Sequence, residues 1–182
     1  MKPLTYALAL LMFAVCFSSS LAAQNKSEEK PTGDSAEAVQ EQLKEGSAFF
    51  LSGDYKKAIV PYQKALDLEK KQPTLEKTLW RVLVDNLGMS YGITGNLKKA
   101  KETFEYGLSK DADYPMFHYN MACTYAEMND MDQAIAYLRS AFKNKENMIE
   151  GEEMPDPASD DSFARFIKDE KFLKALKEIK QQ

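Results

Sequence analysis

Beyond Ala36 the chain alternates between apolar stripes at helical spacing and short polar breaks. Val39, Leu43, Phe50 and Leu51 recur on a three-and-four rhythm, which predicts a first helix. Gly53-Asp54 interrupts it, and Asp54 is suited to cap a second helix in which Tyr55, Ile59, Tyr62 and Leu66 share one face. Pro61 falls inside that helix, where a missing donor and a ring clash predict a kink or a lost hydrogen bond. Gln72-Pro73-Thr74 stops the run near Lys71. Leu75, Leu79, Leu83 and Leu87 form a four-residue ladder, so the next helix is expected from Leu75 to about Ile93. Gly95-Asn96 then turns the chain into a helix over Leu97 to about Ser109. A third pair is predicted from about Tyr114 to Met128 and from Met131 to about Lys143.

The pattern is also internally repeated. Gly46-Ser-Ala-Phe49 followed by Gly53-Asp-Tyr55-Lys-Lys-Ala58 is echoed by Gly88-Met-Ser-Tyr91 followed by Gly95-Asn-Leu97-Lys-Lys-Ala100. Ala122-Cys-Thr-Tyr125 followed by Asn129-Asp-Met131-Asp-Gln-Ala134 keeps the spacing with both glycines replaced. The offset is 34 from Gly95 to Asn129 (129 − 95) and 42 from Gly53 to Gly95 (95 − 53), so eight extra residues lengthen the helices around the first junction. Small residues at 46, 88 and 122, and again at 58, 100 and 134, let paired helices approach closely. Phe49, Tyr91 and Tyr125 fill the space between pairs.

Leu87-Gly88-Met-Ser-Tyr91 with Ala100 and Phe104 resembles the tetratricopeptide repeat, whose unit is about 34 residues. The resemblance covers about Val39 to Lys143 in three units, about 39–72, 81–114 and 115–148. The first has Gln42 and Glu45 where an aromatic residue and Leu are preferred, and the third has Leu138 in place of an aromatic. It implies an all-α fold, an α-α superhelix of antiparallel helix pairs whose concave face is built from the first helices and binds peptide or protein segments.

After Lys143 the composition shifts. Residues 146–158 belong to an acidic stretch, Glu146 to Asp161, that holds seven acids and no Lys or Arg; it is expected to form a mobile loop. Residues 159–182 are expected to make capping helices, the first carrying Phe163, Phe166 and Ile167 and the second Phe172, Leu173, Leu176 and Ile179. Their apolar stripe suits the exposed edge of the last repeat.

The amino terminus carries a different signal. Lys2 precedes an uncharged run from Leu4 to Phe17, then small residues up to Ala22-Ala23, the layout of a cleaved export signal over residues 1–23. About 14 apolar residues fall short of the roughly 20 that span a membrane. The alternative is a lipoprotein anchored through Cys16, although Val15 and Phe13 depart from that pattern. Residues 24–36 are polar and aperiodic, a linker. Periplasmic or secreted localisation follows from this reading. The chain has 24 basic and 28 acidic residues, a net charge of −4, and loss of Lys2 alone with the signal makes it −5. That balance favours neither nucleic acid nor anionic membrane. Removal of Cys16 would leave Cys123 alone, so no intrachain disulfide is expected.

Candidate chemistry is sparse. Asn86 and Asn120 stand one repeat apart on the first helices, with Lys44 at the equivalent place in the first repeat. In the family such an asparagine often faces the groove, where its amide can both donate to and accept from a peptide backbone. The plain alternative is an asparagine tolerated on a half-exposed face. By helical register the groove would add Leu43, Ser47 and Phe50 from the first repeat. The second would give Val82, Asp85, Met89 and Ile93, and the third Met116, Tyr119, Cys123 and Glu127. Leu43, Ser47 and Met116 replace the residues of the basic clamp that grips chaperone tails, and an apolar, Met-bearing lining suits an amphipathic helix or apolar segment instead. Met116, Met121, Met128 and Met131 cluster in sequence near His118 and Cys123, which raises Cu(I). His118 and Cys123 fall on different helix faces, however, so core packing is the better account and no metal or cofactor is expected. No phosphate loop or nucleophile motif is present, and an enzyme is not expected. The function implied is a non-enzymatic interaction module with a protein or peptide partner. The alternatives are a self-associating architectural subunit, using its convex face or first repeat, and a metal carrier.

Overall fold

The computed structural model describes residues 33–181, and the expected export signal and most of the expected linker lie outside the described residues. Seven α-helices follow one another: α1 (Gly33–Leu51), α2 (Tyr55–Lys71), α3 (Lys77–Ile93), α4 (Leu97–Lys110), α5 (Pro115–Glu127), α6 (Met131–Lys143) and α7 (Glu170–Ile179). Short 3-10 turns occupy Lys145–Asn147 and Asp161–Phe163. Every regular element among the described residues is helical. Helix α1 starts at Gly33, so residues 33–36, expected in the linker, are its first turn.

Neighbours in sequence pack as pairs, α1 with α2, α3 with α4 and α5 with α6, and each pair packs on the next through α2–α3 and α4–α5. The first helices also touch one another, α1 with α3 and α3 with α5. They form the inner wall of a tetratricopeptide-type α-α superhelix, with α2, α4 and α6 outside.

The turns explain the repeated sequence. Gly53 and Gly95 adopt φ of 78° and 84°, and Asn129 takes φ 62° in the same place. Asparagine tolerates this left-handed conformation better than most residues, so the third turn survives loss of glycine. One residue later Asp54, Asn96 and Asp130 cap α2, α4 and α6 by accepting from the backbone N–H of Lys57, Lys99 and Gln133. Within the pairs, space is fixed by close approach. A Cβ added at Gly46 would lie 2.5 Å from the Tyr62 ring, and one at Gly88 would lie 2.4 Å from Phe104. Gly107 makes an equivalent contact with Phe117 across the α4–α5 junction, at 2.8 Å.

The longer first junction has a clear anatomy. Helix α2 has 17 residues where α4 has 14, and α3 has 17 where α5 has 13, with one more residue in the connection. Helix α2 passes through buried Pro61 without ending. Helix α3 begins at Lys77 and not at Leu75. The buried carboxylate of Glu69 accepts from the Thr74 and Leu75 backbone N–H groups at 2.9 and 3.1 Å, closing the connection in an extended form.

At the other end, Asp160 caps the 3-10 turn and Asp169 caps α7. Helix α7 runs parallel to α6, pinned by Lys171 to Asp132 at one end and by Arg139 to Glu178, 2.6 Å, at the other. Phe172 stacks on Phe163 at 5.6 Å and lies tilted against Phe166 at 5.8 Å, and the three close a buried cluster with Tyr119, Cys123, Ile135 and Leu138. No helix among the described residues is long and apolar enough to cross a membrane.

Candidate interaction surface

The inner wall is where the register argument places the groove residues, and their side chains divide into three groups. In the first repeat Leu43 and Phe50 are buried, and Phe50 packs edge-on against Tyr55 and Tyr62 of α2 at 5.2 and 6.3 Å. Phe50 is therefore an α1–α2 contact and not a free groove side chain. Ser47 is half-buried; its hydroxyl donates to the Leu43 carbonyl and accepts from the Tyr62 hydroxyl at 3.2 Å.

The two asparagines are engaged within the chain. The Asn86 amide donates to the Tyr62 hydroxyl at 3.0 Å, and the Asn120 amide donates to Asp85 Oδ1 at 2.8 Å. Each ties one helix to another, Asn86 joining α3 to α2 and Asn120 joining α5 to α3. Burial removes the Asp85 carboxylate from water and raises it to about 7; the nearby Glu152 charge adds to this, and the Asn120 hydrogen bond opposes it. Burial likewise pushes the Tyr62 phenol up to about 12.

The third group lies along α5, and the chain covers it with its own acidic segment. Tyr114 at the helix start donates to Glu152 at 2.7 Å, Tyr119 donates to Asp160 at 2.9 Å, and Glu127 pairs with Arg165 at 3.4 Å. Cys123 Sγ lies 3.9 Å from Asp160, and burial raises its thiol well above the ordinary range, which makes it a packed and unreactive group. Arg81 of α3 clamps the start of this segment by donating to the Asn147 carbonyl at 3.1 Å, while its guanidinium lies over Tyr114 and pairs with Asp111. Met116 is core. The segment expected to be mobile is thus seated: Ile149 and Pro157 are buried, Glu152 also accepts from Ile149 N, and Asp156 pairs with Lys180 at 3.1 Å.

What stays open is the wall ahead of α5. Val82, Asn86 and Ile93 are half-exposed there. A narrow gap of about 10 Å³, room for a single water, lies between α3, α4 and α5, lined by Gly88, Met89, Gly92, Leu97, Phe104, Asn120, Cys123, Thr124 and Glu127. Of the sulfur and imidazole groups, Met121 is buried, Met128 is exposed, and His118 Nε2 lies 2.7 Å from the Ala112 carbonyl. No group of three His, Cys, Asp or Glu side chains able to hold a metal ion occurs among the described residues. Sequence reasoning missed Arg81, Tyr114, Glu152 and Asp160, because their roles depend on contacts up to 66 residues apart.

Residues 84–111 and 117–148 each match the family model of the tetratricopeptide repeat. The two matches cover most of α3 with α4, and α5 with α6. No curated protein matches the chain.

Proposed function

We propose that the protein is a non-enzymatic interaction module that holds an extended or helical segment of another protein against its inner wall. The observation that carries this reading is the pair of matches to the tetratricopeptide repeat, together with the half-exposed Val82, Asn86 and Ile93 on the inner wall. Val82 and Ile93 offer apolar contact there, with the half-exposed Asn86 between them. The helix pair α1–α2 counts as a further repeat in this proposal, because Gly46 meets Tyr62 as Gly88 meets Phe104, each sixteen residues on. The run from Leu4 to Phe17 supports export to the cell envelope or beyond as the place of action.

Site-specific photo-cross-linking tests the binding surface. A photoreactive residue in place of Val82 or Ile93 should capture one and the same partner in the native cell, and one at exposed Lys64 on α2 should not. Capture from Lys64 alone would place the partner on the outer surface and sink the reading.

A further inference from the structure

Large apolar side chains are exposed at both ends of the superhelix and not in its middle. Leu51 and Val60 are 60% and 69% exposed on the α1–α2 pair. Met128, Ile167 and Leu173 are exposed at the carboxy-terminal end, Leu173 by 47%. The pair α3–α4 exposes none of this kind. A solenoid requires polar outer faces at its ends to stay single, since an apolar end invites the next unit to stack.

The exposed charges of α1 and α7 differ in balance: α1 shows Glu37, Glu41 and Glu45 against Lys44, and α7 shows Lys171, Lys174 and Lys177 against Glu170. Along the outward face of α1, Glu37, Glu41, Glu45, Ala48 and Leu51 follow helical spacing and are exposed. Along the outward face of α7, Leu173, Lys174 and Lys177 are exposed, with Lys180 just beyond. Between α6 and α7 a groove of about 220 Å³ is lined by Ile135, Ala175, Arg139, Lys171, Lys174 and Glu178, with Arg139 paired to Glu178 and Lys171 to Asp132.

The two stripes fit each other in one direction. At 1.5 Å per residue, Glu45 lies about 9 Å and Glu41 about 15 Å behind Leu51. On α7, Lys177 lies about 6 Å beyond Leu173 and Lys180, paired with Asp156 within the chain, about 10 Å beyond it. Antiparallel stacking of α1 on α7 therefore sets Leu51 on Leu173 and brings the α1 acids beside the α7 lysines. Parallel stacking would put the acids past the start of α7, next to Glu170.

We infer that the protein stacks head to tail, with α1 of one copy docking on the α6–α7 end of the next. The contact joins two different faces, so it leaves a free end on each side and builds open chains. It uses none of Val82, Asn86 and Ile93 on α3, and therefore stands or falls independently of partner binding at those residues.

Sedimentation of the full chain, purified as the cell leaves it, provides the test. The weight-average mass should at least double between micromolar and millimolar concentration, continue to rise, and fall back with added salt as the charge pairing is screened. Glu41→Lys/Glu45→Lys and Lys174→Glu/Lys177→Glu should each be monomeric while keeping the wild-type circular dichroism, because all four side chains are exposed. An equimolar mixture of the two variants should associate again, since each reversed end then meets its complement. Should either double exchange lose helicity, the corresponding Ala pair carries the same expectation of weakened association. A wild-type protein that stays monomeric, or stops at a closed dimer, would overturn the inference. So would a reversed variant that associates as well as wild type, or a mixture that stays monomeric.

Discussion

Asp85 shows how a single side chain trades charge against burial. Its carboxyl is enclosed between α3 and α5, receives one hydrogen bond from Asn120, and feels the neighbouring Glu152 charge. Its folded-state value of about 7 stands above the ordinary 3.8. Above pH 7 the folded state carries a buried charge, while between about 7 and 4 it takes up a proton that the unfolded chain does not. This group therefore makes folding more favourable as the pH falls through that window. The melting temperature should rise on acidification from pH 8 towards 5, and Asp85→Asn should flatten the profile over that range. A profile that is equally steep in the variant would move the titration elsewhere. The same neighbourhood shows what sequence can reach. Helical register correctly places Asn86 and Asn120 one repeat apart on the first helices. It cannot reveal that Tyr62 and Asp85, 24 and 35 residues away, already occupy their amides. Hydrogen-bond partners of this kind are set by the packing of helix on helix, which local pattern does not encode.

At the scale of elements the chain was largely readable, because helix ends here are written in short-range chemistry. Each break combines a residue able to adopt positive φ with a capping Asp or Asn one position later, and the structure uses all three. The start of α3 departs from expectation because the deciding residue belongs to another helix. Leucine spacing extends the helix back to Leu75, but Glu69 of α2 takes the Thr74 and Leu75 N–H groups for itself. A buried carboxylate with several backbone donors works as a clasp, and its loss leaves partly buried donors without that partner. Glu69→Ala should cost about 1–3 kcal/mol for each backbone donor left buried and unpaired. Amide exchange should accelerate first at Thr74 and Leu75. Unchanged protection at those two amides would mean that water replaces the carboxylate without loss. The acidic stretch after α6 is the larger departure. Seven acids without a base read as solvated chain, yet Tyr114, Tyr119, Arg81 and Lys180 seat three of the carboxylates or the backbone beside them.

For the whole molecule, the seated segment turns a stack of helix pairs into a structure with unequal ends. The carboxy-terminal end is closed by the aromatic group of Phe163, Phe166 and Phe172, which covers Tyr119 and Cys123 of α5 and leaves the inner wall open only ahead of that point. In a solenoid each unit is stabilised mainly by its neighbours, so damage at one end should spread inward gradually. Phe172 is fully buried at the centre of this closure. Phe172→Ala should therefore destabilise the protein by about 3–5 kcal/mol. Hydrogen exchange should show where the loss falls: α6 and α7 should open first, α5 next, and α3–α4 should keep most of their protection. Uniform loss of protection from α1 to α7 would show one cooperative unit in place of a stack with a closing cap. A wild-type melt would mean that α7 contributes little packing, and the acidic segment would then have to hold the α5 face through Glu152 and Asp160 alone.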